Sequence, residues 1–258
     1  MAILTAVLTH LDAPSVQRQL SYLRALAPES RFVACHGGER ADFEALPPGD
    51  GVFVDDPSLR GPHFDQSMNA TLAALYEAYV RDDPAIDLVY VIEYDHLILS
   101  GDFERTLAEL ASRSSAGLFA KNATPRNDSN WSHYLRARGD ERLNRFVARI
   151  SGRNDPGLRW GCLGPGMLLR REALAAFCSL TDVPPNYFEL LVPTVVYHLG
   201  FEVEDIDGIS DLYMSIRWLP EFSVEEAIAQ KRAGRSFLHP FKRLDALTEI
   251  REAPGLGT

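Results

Sequence analysis

The strongest feature of the hydrophobic pattern is a run of five apolar residues at positions 88–92, rich in β-branched and aromatic side chains. A run this short and this uniformly apolar predicts a strand that is buried on both faces. The pattern changes abruptly at residues 93–96, which read Glu-Tyr-Asp-His. Two carboxylates and an imidazole at the end of a buried strand place charge at the edge of the core. That placement costs free energy unless solvent or a bound cation relieves it.

Shorter apolar runs alternate with segments of helical spacing through the first half of the chain. We predict strands at residues 2–8, 31–35, 51–54 and 116–120, and helices at 13–26, 65–80 and 103–111. This alternation indicates an α/β fold with a mostly parallel central sheet flanked by helices. Right-handed crossovers place the polar strand ends on one rim, where open α/β sheets bind their ligands.

The second half of the chain is less regular. We predict a loop at residues 122–133, a basic helix at 136–153, strands at 160–169, 201–206 and 213–218, helices at 171–177, 187–199 and 223–232, and an irregular tail from Pro254. The arginines of the basic helix indicate either a solvated face or a phosphate clamp. Glycines inside the strand at 160–169 indicate a bulge or a ligand that approaches the backbone closely. We find no internal repeat and no clear linker, and we expect one continuous domain.

Composition narrows the possible functions. The 258 residues carry a formal net charge of −10, which disfavours a sequence-independent nucleic-acid binder. The three cysteines are widely spaced and form no CxxC motif, which fits a reducing compartment. The first twelve residues lack the basic leader of a signal peptide, and no stretch approaches the roughly 20 apolar residues of a membrane span. We therefore expect a cytoplasmic protein without a membrane span.

Glu93 and Asp95 are the first candidates for chemistry. Residues two apart on a strand point to the same face, so the two carboxylates lie on one side. Two hard oxygen ligands suit Mg²⁺ or Mn²⁺, which keep their other positions for water and substrate phosphates. The alternative is a solvated turn, because an isolated acid-x-acid triplet also occurs by chance.

The order of the later motifs resembles the GT-A fold of nucleotide-sugar glycosyltransferases, especially family-2-like members. The motifs that carry this resemblance are the acidic end of the third strand at 55–56, the EYD triplet at 93–95, WGCLGPGMLLRREALAAF at 160–177, PPNYFELLVPTVVYHLGFEVEDI at 184–206 and SFLHPFK at 236–242. Together they span roughly residues 2–242. Glu93 stands where this family usually has aspartate, so which of the two acids binds the metal directly remains open.

The resemblance implies a single domain over residues 1–258, with a Rossmann-like nucleotide-binding half at about 1–122 and an acceptor-binding half at about 123–245. It implies a divalent cation, Mn²⁺ or Mg²⁺, held by Asp95, Glu93 and His239. A cation there would stabilise the charge that develops on a nucleoside diphosphate as it leaves. The alternative to metal binding is that His239 is an ordinary surface or packing histidine.

The resemblance also implies which residues contact the donor. They are Thr9, His10, His36, Asp55 and Asp56 at the first three strand ends, Arg60 and Asn69 more weakly, Trp160 and Gly161 at the sugar, and Lys242 at a phosphate. Ordinary loop solvation remains an alternative for the polar residues at the strand ends, and core packing is one for Trp160.

For catalysis, the resemblance implies metal-bound Asp95 and a general base at Glu189. In an inverting enzyme Glu189 would take a proton from the acceptor. The alternative is a structural role, in which Glu189 is an acid at a helix N-terminus that the helix dipole stabilises. We therefore expect metal-dependent transfer of a sugar from a nucleoside-diphosphate sugar to an unknown acceptor. The alternatives are a nucleotidyltransferase acting on a sugar phosphate and a non-catalytic nucleotide-sugar binding module. The residues after the first strand lack the glycine-rich loop expected of a nucleotidyltransferase.

Overall fold

A computed structural model describes residues 1–61 and 64–255 of the chain. Its strands are β1 (Ala2–Thr9), β2 (Arg31–His36), β3 (Gly51–Phe53), β4 (Ile86–Glu93), β5 (Leu97–Ile98), β6 (Leu118–Pro125), β7 (Trp160–Arg170), β8 (Val203–Asp205) and β9 (Phe237–Leu238). Seven of them form the main sheet in the order β3-β2-β1-β4-β7-β6-β8, and β5 pairs with β9 in a second, two-stranded sheet.

The main sheet is parallel except for one strand. β1 pairs in parallel with β2 and β4, β2 with β3, and β6 with β8, whereas β7 runs antiparallel to both of its neighbours. The predicted α/β class, with a mostly parallel sheet flanked by helices, is confirmed. The carboxyl ends of β1, β2 and β4 therefore meet at one edge of the sheet.

Helices cover both faces of the sheet. They are α1 (Ala13–Leu26), α2 (Arg40–Glu44), α3 (Met68–Leu75), α4 (Phe103–Ser112), α5 (Ser132–Ala137), α6 (Glu141–Ile150), α7 (Arg171–Cys178), α8 (Phe188–His198), α9 (Ile206–Ile209), α10 (Val224–Arg232) and α11 (Leu247–Glu252). None of the helices in the described part of the chain is both long and apolar enough to cross a bilayer.

Strand β4 is buried on both faces, as its uniformly apolar sequence predicts. Leu88, Tyr90 and Ile92 belong to the apolar cluster that includes side chains of α1, α4 and α11. Val89 and Val91 belong to the cluster on the other face, with side chains of α3, α6, α7 and α8. The strand that ends in Glu93 is thus fixed from both sides, and the position of its polar end is set by the core.

Two predicted boundaries are wrong in the middle of the chain. β6 continues to Pro125, into the segment predicted as a loop, and the predicted basic helix is two helices, α5 and α6. The side chain of Asp140 causes the second difference, because it accepts hydrogen bonds from the amides of Arg142 and Leu143 and so begins a new helix. The predicted helix at 65–80 contains a 3₁₀ turn, α3 and a π-helical turn at Tyr76–Val80.

Residues 213–218 form turns instead of the predicted strand, with one isolated bridge between Ile216 and His239. Burial along this segment does not follow the period of two of a strand: Tyr213 and Ile216, three residues apart, are buried, whereas Met214 and Trp218 are 61% and 66% exposed. The amide of Ile216 donates to the carbonyl of Tyr213 and so takes a partner within a turn. In the predicted irregular tail, residues 256–258 lie outside the described residues.

Helix α10 offers a test of the local folding rules. Ser223 accepts a hydrogen bond from the amide of Glu226, and the carboxylate of Glu226 accepts one from the amide of Ser223, which forms a capping box. We expect Ser223→Ala to lower the free energy of unfolding by about 1 kcal/mol. Urea denaturation measures the change. Ser179→Ala, at the C-terminal end of α7, is the control and should change it by less than about 0.5 kcal/mol. Equal losses in both variants would contradict the capping role.

Candidate active site

A cavity of about 540 Å³ opens at the carboxyl ends of β1, β2 and β4. Thr9 and His10 line it after β1, and Gly37 lines it after β2. Residues at the start of α8 and the segments around residues 218 and 239 complete the walls. A cavity of this size is in the range that holds small molecules and cofactors.

Glu93, Asp95 and His239 meet on one wall of this cavity. Each offers one ligand atom, and the three atoms lie within 4.8 Å of one another. Glu93 ends β4, and the pairing of β5 with β9 brings the segment that ends in His239 beside it. The amide of Phe241 also donates to the carbonyl of Asp95 at 2.8 Å. This bond joins the Asp95 turn to the segment after β9, beyond the β5–β9 pairing.

The ring of His239 is oriented by the backbone. Its Nδ1 lies 2.9 Å from the carbonyl oxygen of Arg217, so Nδ1 carries the proton that this acceptor requires. Nε2 then faces the carboxylates, 3.3 Å from Asp95 Oδ1 and 3.5 Å from Glu93 Oε2. A histidine that donates one ring N–H to a carbonyl and directs the other nitrogen at carboxylates has the arrangement of a metal ligand with its outer partner.

The three side chains fit a divalent cation. Oδ1 of Asp95 is buried and accepts no hydrogen bond of good geometry from any described residue. Nε2 of His239 lies 3.3 Å from this oxygen but outside good hydrogen-bond geometry. A cation would satisfy the buried oxygen more fully and so lower the cost of its burial. Two carboxylates and one imidazole suit Mn²⁺, and the oxygens suit Mg²⁺. The predicted joint location of Glu93, Asp95 and His239 is therefore seen, whereas the metal itself remains a proposal.

The carboxylates change the proton affinity of His239. Burial alone would lower the pKa of this imidazole, but Asp95 and then Glu93 stabilise the charged ring and raise its pKa to about 9. In the absence of a cation, a proton therefore occupies the centre of the cluster at neutral pH. A cation that binds here must displace it.

Glu189 lies in the same cavity and is 5% exposed. Oε1 accepts a hydrogen bond from the amide of Gly164 at 2.6 Å, and Oε2 accepts one from the hydroxyl of Tyr187 at 2.7 Å. Burial is the main cause that raises the pKa of Glu189 to about 7, and these two donors oppose it. A carboxylate with a pKa near neutrality is suited to accept a proton during catalysis.

Gly164 is necessary for this contact. A Cβ at position 164 would lie 2.3 Å from Cε2 of Phe188 and 3.0 Å from Oε1 of Glu189. The glycine within the strand thus lets α8 approach the backbone of β7 closely enough for the amide of Gly164 to reach the carboxylate. The glycines within this strand predicted a bulge or a ligand close to the backbone. At Gly164 the groups that approach the backbone are the side chains of Phe188 and Glu189.

The structure divides the predicted donor contacts into two groups. Those that line the cavity, besides the residues above, are Thr9, His10 and Lys242. Those that do not are His36, Asp55, Asp56, Arg60, Asn69, Trp160 and Gly161.

Most of the second group have partners elsewhere. His36 is fully buried, and its ring nitrogens lie near the carbonyl of Leu11 and the amide of Gly38. Asp56 accepts from the amide and hydroxyl of Ser58, and Asp55 pairs with Arg40.

The remaining members also contact groups outside the cavity lining. Arg60 donates to the Gly38 carbonyl, and Trp160 packs on Tyr197. A Cβ at Gly161 would lie 2.5 Å from the ring of Trp131. Asn69 belongs to α3, whose neighbouring residue Met68 reaches the cavity.

Several cavity residues were not predicted. Tyr187 stacks on His133, with ring centroids 3.5 Å apart, and both line the cavity. Trp218 and Leu219 line its mouth and are 66% and 62% exposed. The tyrosine two positions before Glu189 is a signal that the sequence did contain, because a hydroxyl is a common partner for a buried carboxylate.

No family model and no curated protein matches the chain. Among solved structures, the chain is similar to the galactosyltransferase LgtC in complex with donor and acceptor sugar analogues, with 17% identity, a TM-score of 0.34, and coverage of 67% of this chain and 58% of that one. It is similar to the mannosyltransferase PcManGT from Pyrobaculum calidifontis in complex with GDP-Man and Mn²⁺, with 14% identity, a TM-score of 0.42, and coverage of 79% and 54%. It is also similar to CMP:2-keto-3-deoxy-manno-octonic acid synthetase complexed with CTP, with 10% identity, a TM-score of 0.45, and coverage of 80% and 89%.

Two of these three solved structures are glycosyltransferases and the third is a sugar-nucleotide synthetase. The chain spans 58% and 54% of the length of these two transferase structures.

The protonated His239 gives a pH-dependent prediction. Because the pKa of His239 is raised to about 9, Mn²⁺ binding should release close to one proton at pH 7. Mn²⁺ affinity should then rise about tenfold per pH unit between pH 6.5 and 8 and level off as the pH approaches that pKa. Calorimetry in two buffers with different ionisation enthalpies counts the protons. His239→Ala should remove the release, and an affinity independent of pH in the unmodified protein would contradict this assignment.

Proposed function

We propose that this chain is a metal-dependent glycosyltransferase that moves a sugar from a nucleoside diphosphate to an acceptor hydroxyl. One observation carries the proposal: a candidate cation site, Glu93, Asp95 and His239, and a buried carboxylate with a pKa of about 7, Glu189, line the same cavity. A diphosphate leaving group needs the first, and deprotonation of an acceptor needs the second.

The residues of the metal cluster would act on the diphosphate. Asp95, Glu93 and His239 would hold Mn²⁺ or Mg²⁺, which would offset the negative charge that builds on the leaving diphosphate. Lys242 lines the same wall and, although its ammonium pairs with Glu221 at 2.7 Å, it is half exposed and within reach of the cavity. It would contact a phosphate as a point charge.

Glu189 would act on the acceptor. Its carboxylate would accept the proton of the attacking hydroxyl, as in an inverting displacement, and the amide of Gly164 and hydroxyl of Tyr187 would keep it oriented. With a pKa of about 7, the group is substantially ionised at neutral pH and yet basic enough to take the proton.

Residues of both proposed halves of the domain contribute to the cavity. Thr9 and His10, from the half proposed to bind the nucleotide at about 1–122, lie at the end of β1. His133 and Glu189 come from the half proposed to bind the acceptor, at about 123–245. Donor and acceptor would thus meet where the two halves face each other.

Turnover of donor nucleotides tests the proposal. We expect slow release of nucleoside diphosphate from one member of a panel of UDP-, GDP- and dTDP-sugars with Mn²⁺, and EDTA should abolish it. Asp95→Asn should lower the rate about 100-fold or more, because it removes a charged ligand. The control Asp211→Asn changes an exposed acid that pairs with Arg235 outside the cavity lining, and it should keep the rate within about twofold.

The alternatives give different products. Pyrophosphate formed from a nucleoside triphosphate and a sugar phosphate would identify a nucleotidyltransferase and contradict sugar transfer. Tight binding of a nucleotide sugar without any product would identify a binding module and contradict it as well.

Glu189 and its hydroxyl donor give a second prediction. Glu189→Gln should lower kcat/KM for transfer by about 100-fold or more, because an amide cannot accept the proton. In the unmodified protein kcat/KM should fall with decreasing pH below about 7, as the pKa of Glu189 requires. Tyr187→Phe removes a hydrogen bond that favours the ionised carboxylate, so this acid limb should move to higher pH.

The matched control is Tyr197→Phe. Tyr197 lies on α8, the helix that carries Glu189. Its hydroxyl also donates to a carboxylate, that of Asp155, at 2.8 Å. Its pH profile should equal that of the unmodified protein. A shift in both tyrosine variants, or in neither, would contradict the role assigned to Tyr187.

A further inference from the structure

Three buried polar side chains form a hydrogen-bonded chain behind the candidate active site. Nε2 of His96 lies 2.9 Å from the hydroxyl of Tyr90, and that hydroxyl lies 3.0 Å from the hydroxyl of Tyr213. The Tyr213 hydroxyl in turn lies 2.6 Å from the carbonyl oxygen of Gly166. Tyr90 and Tyr213 are completely buried and His96 is 1% exposed, so none of these groups has bulk water as an alternative partner.

The protons in this chain have one consistent arrangement. The Gly166 carbonyl can only accept, so the single proton of the Tyr213 hydroxyl is directed to it. The proton between the two tyrosines then comes from Tyr90, and the one between Tyr90 and His96 comes from Nε2–H of His96. Nδ1 of His96 is buried without a partner among the described residues. It is left as an unpaired acceptor, which is tolerated better than an unpaired donor.

Gly166 is shaped to receive this chain. Its φ of +82° lies in the left-handed region that favours glycine. A Cβ at this position would lie 2.7 Å from the Tyr213 hydroxyl, 2.9 Å from the Tyr90 hydroxyl and 3.0 Å from Cε1 of His96. All three members of the chain therefore converge on the space that a side chain at position 166 would fill.

The chain connects the two segments that carry the candidate chemistry. His96 follows Asp95, and its amide donates to the carbonyl of Glu93 at 2.9 Å, so it closes the turn that carries both acids. At the other end, Gly166 lies two residues after Gly164, whose amide holds Glu189.

The backbone ladder does not reach these segments. β4 and β7 pair in register from Leu88 with Arg170 to Val91 with Met167. Glu93 and Gly164 lie beyond the last of these pairs, where the two strands no longer share a ladder. The hydrogen-bonded side chains extend past this end of the ladder: Tyr90 pairs with Leu168 inside it, whereas Gly166 comes directly before Met167, the last paired residue of β7.

We propose that Tyr90, His96 and Tyr213 are positioning residues that fix the turn of Glu93 and Asp95 relative to the Gly164–Gly166 backbone. Their hydrogen bonds would take the place of the β4–β7 backbone hydrogen bonds that end before this point. The cation ligands and Glu189 would then keep a fixed distance and orientation across the cavity. This inference rests on the proposed function for its catalytic consequence, but its consequence for cation binding does not depend on turnover.

The test compares single hydroxyl deletions. Tyr90→Phe and Tyr213→Phe each remove one member of the chain and change no volume in the cavity. Tyr22→Phe is the control, because the Tyr22 hydroxyl is also buried and donates at 2.6 Å to a carbonyl, that of Ile98. For each variant we would measure the thermal midpoint, the Kd for Mn²⁺ alone by calorimetry, and kcat with the best nucleotide sugar.

We expect all three variants to lose similar thermal stability. Only Tyr90→Phe and Tyr213→Phe should weaken Mn²⁺ binding, by about tenfold, and lower kcat by about tenfold or more. The double variant should lose less than the product of the two single effects, because the hydroxyls act as one unit. The same Mn²⁺ affinity in these variants as in Tyr22→Phe would overturn the inference, as would an unmodified protein that binds no Mn²⁺. If Mn²⁺ binds but no nucleotide sugar turns over, the proposed function fails and the Kd comparison still decides this inference.

Discussion

The structure depends on the cost of placing charge at the end of a buried strand. β4 runs through both apolar clusters and ends in Glu93, with Asp95 two residues later and 8% exposed. In the described structure, the imidazole of His239 is the group that faces both carboxylates. The fold provides it through a long connection, since the pairing of β5 with β9 carries a segment almost 150 residues later back to the turn. A proton satisfies this cluster in the free protein, and the same three groups suit a divalent cation.

The carboxylate of Glu189 is stabilised differently from those of Glu93 and Asp95. Glu189 has no cationic partner within hydrogen-bonding distance among the described residues, and two neutral donors, the amide of Gly164 and the hydroxyl of Tyr187, hold it. Neutral donors stabilise the charged form less than an ion pair does, so burial prevails and the pKa lies near 7. One cavity thus contains an acidic cluster suited to a cation and a separate carboxylate suited to exchange a proton. The proposed sugar transfer needs both.

Much of the fold can be predicted from the local hydrophobic pattern, and much of the candidate site can be predicted from the polar residues at the ends of the strands. The apolar run at 88–92 predicts a strand buried on both faces, and the EYD triplet places two acids at its end. His239 could be predicted only from the family resemblance, because the partner that defines it is distant in sequence. His36 ends β2 and Asp56 follows β3, but their side chains bond to backbone and hydroxyl partners, an outcome that depends on loop conformation. The roles of Tyr187 and of the Tyr90–His96–Tyr213 chain could not be predicted, because they depend on contacts between distant segments. The hydrophobic periodicity of the sequence contains no information on such contacts.

The central claim is that Glu93, Asp95 and His239 would hold a divalent cation that offsets the charge of a donor diphosphate. Anomalous diffraction from a crystal grown with Mn²⁺ and a nucleoside diphosphate tests this most directly. The account predicts one strong manganese peak within bonding distance of the Asp95 carboxylate and His239 Nε2, with phosphate oxygens completing its coordination. A nucleotide bound in the cavity with manganese elsewhere, or with these side chains turned away from it, would contradict the account.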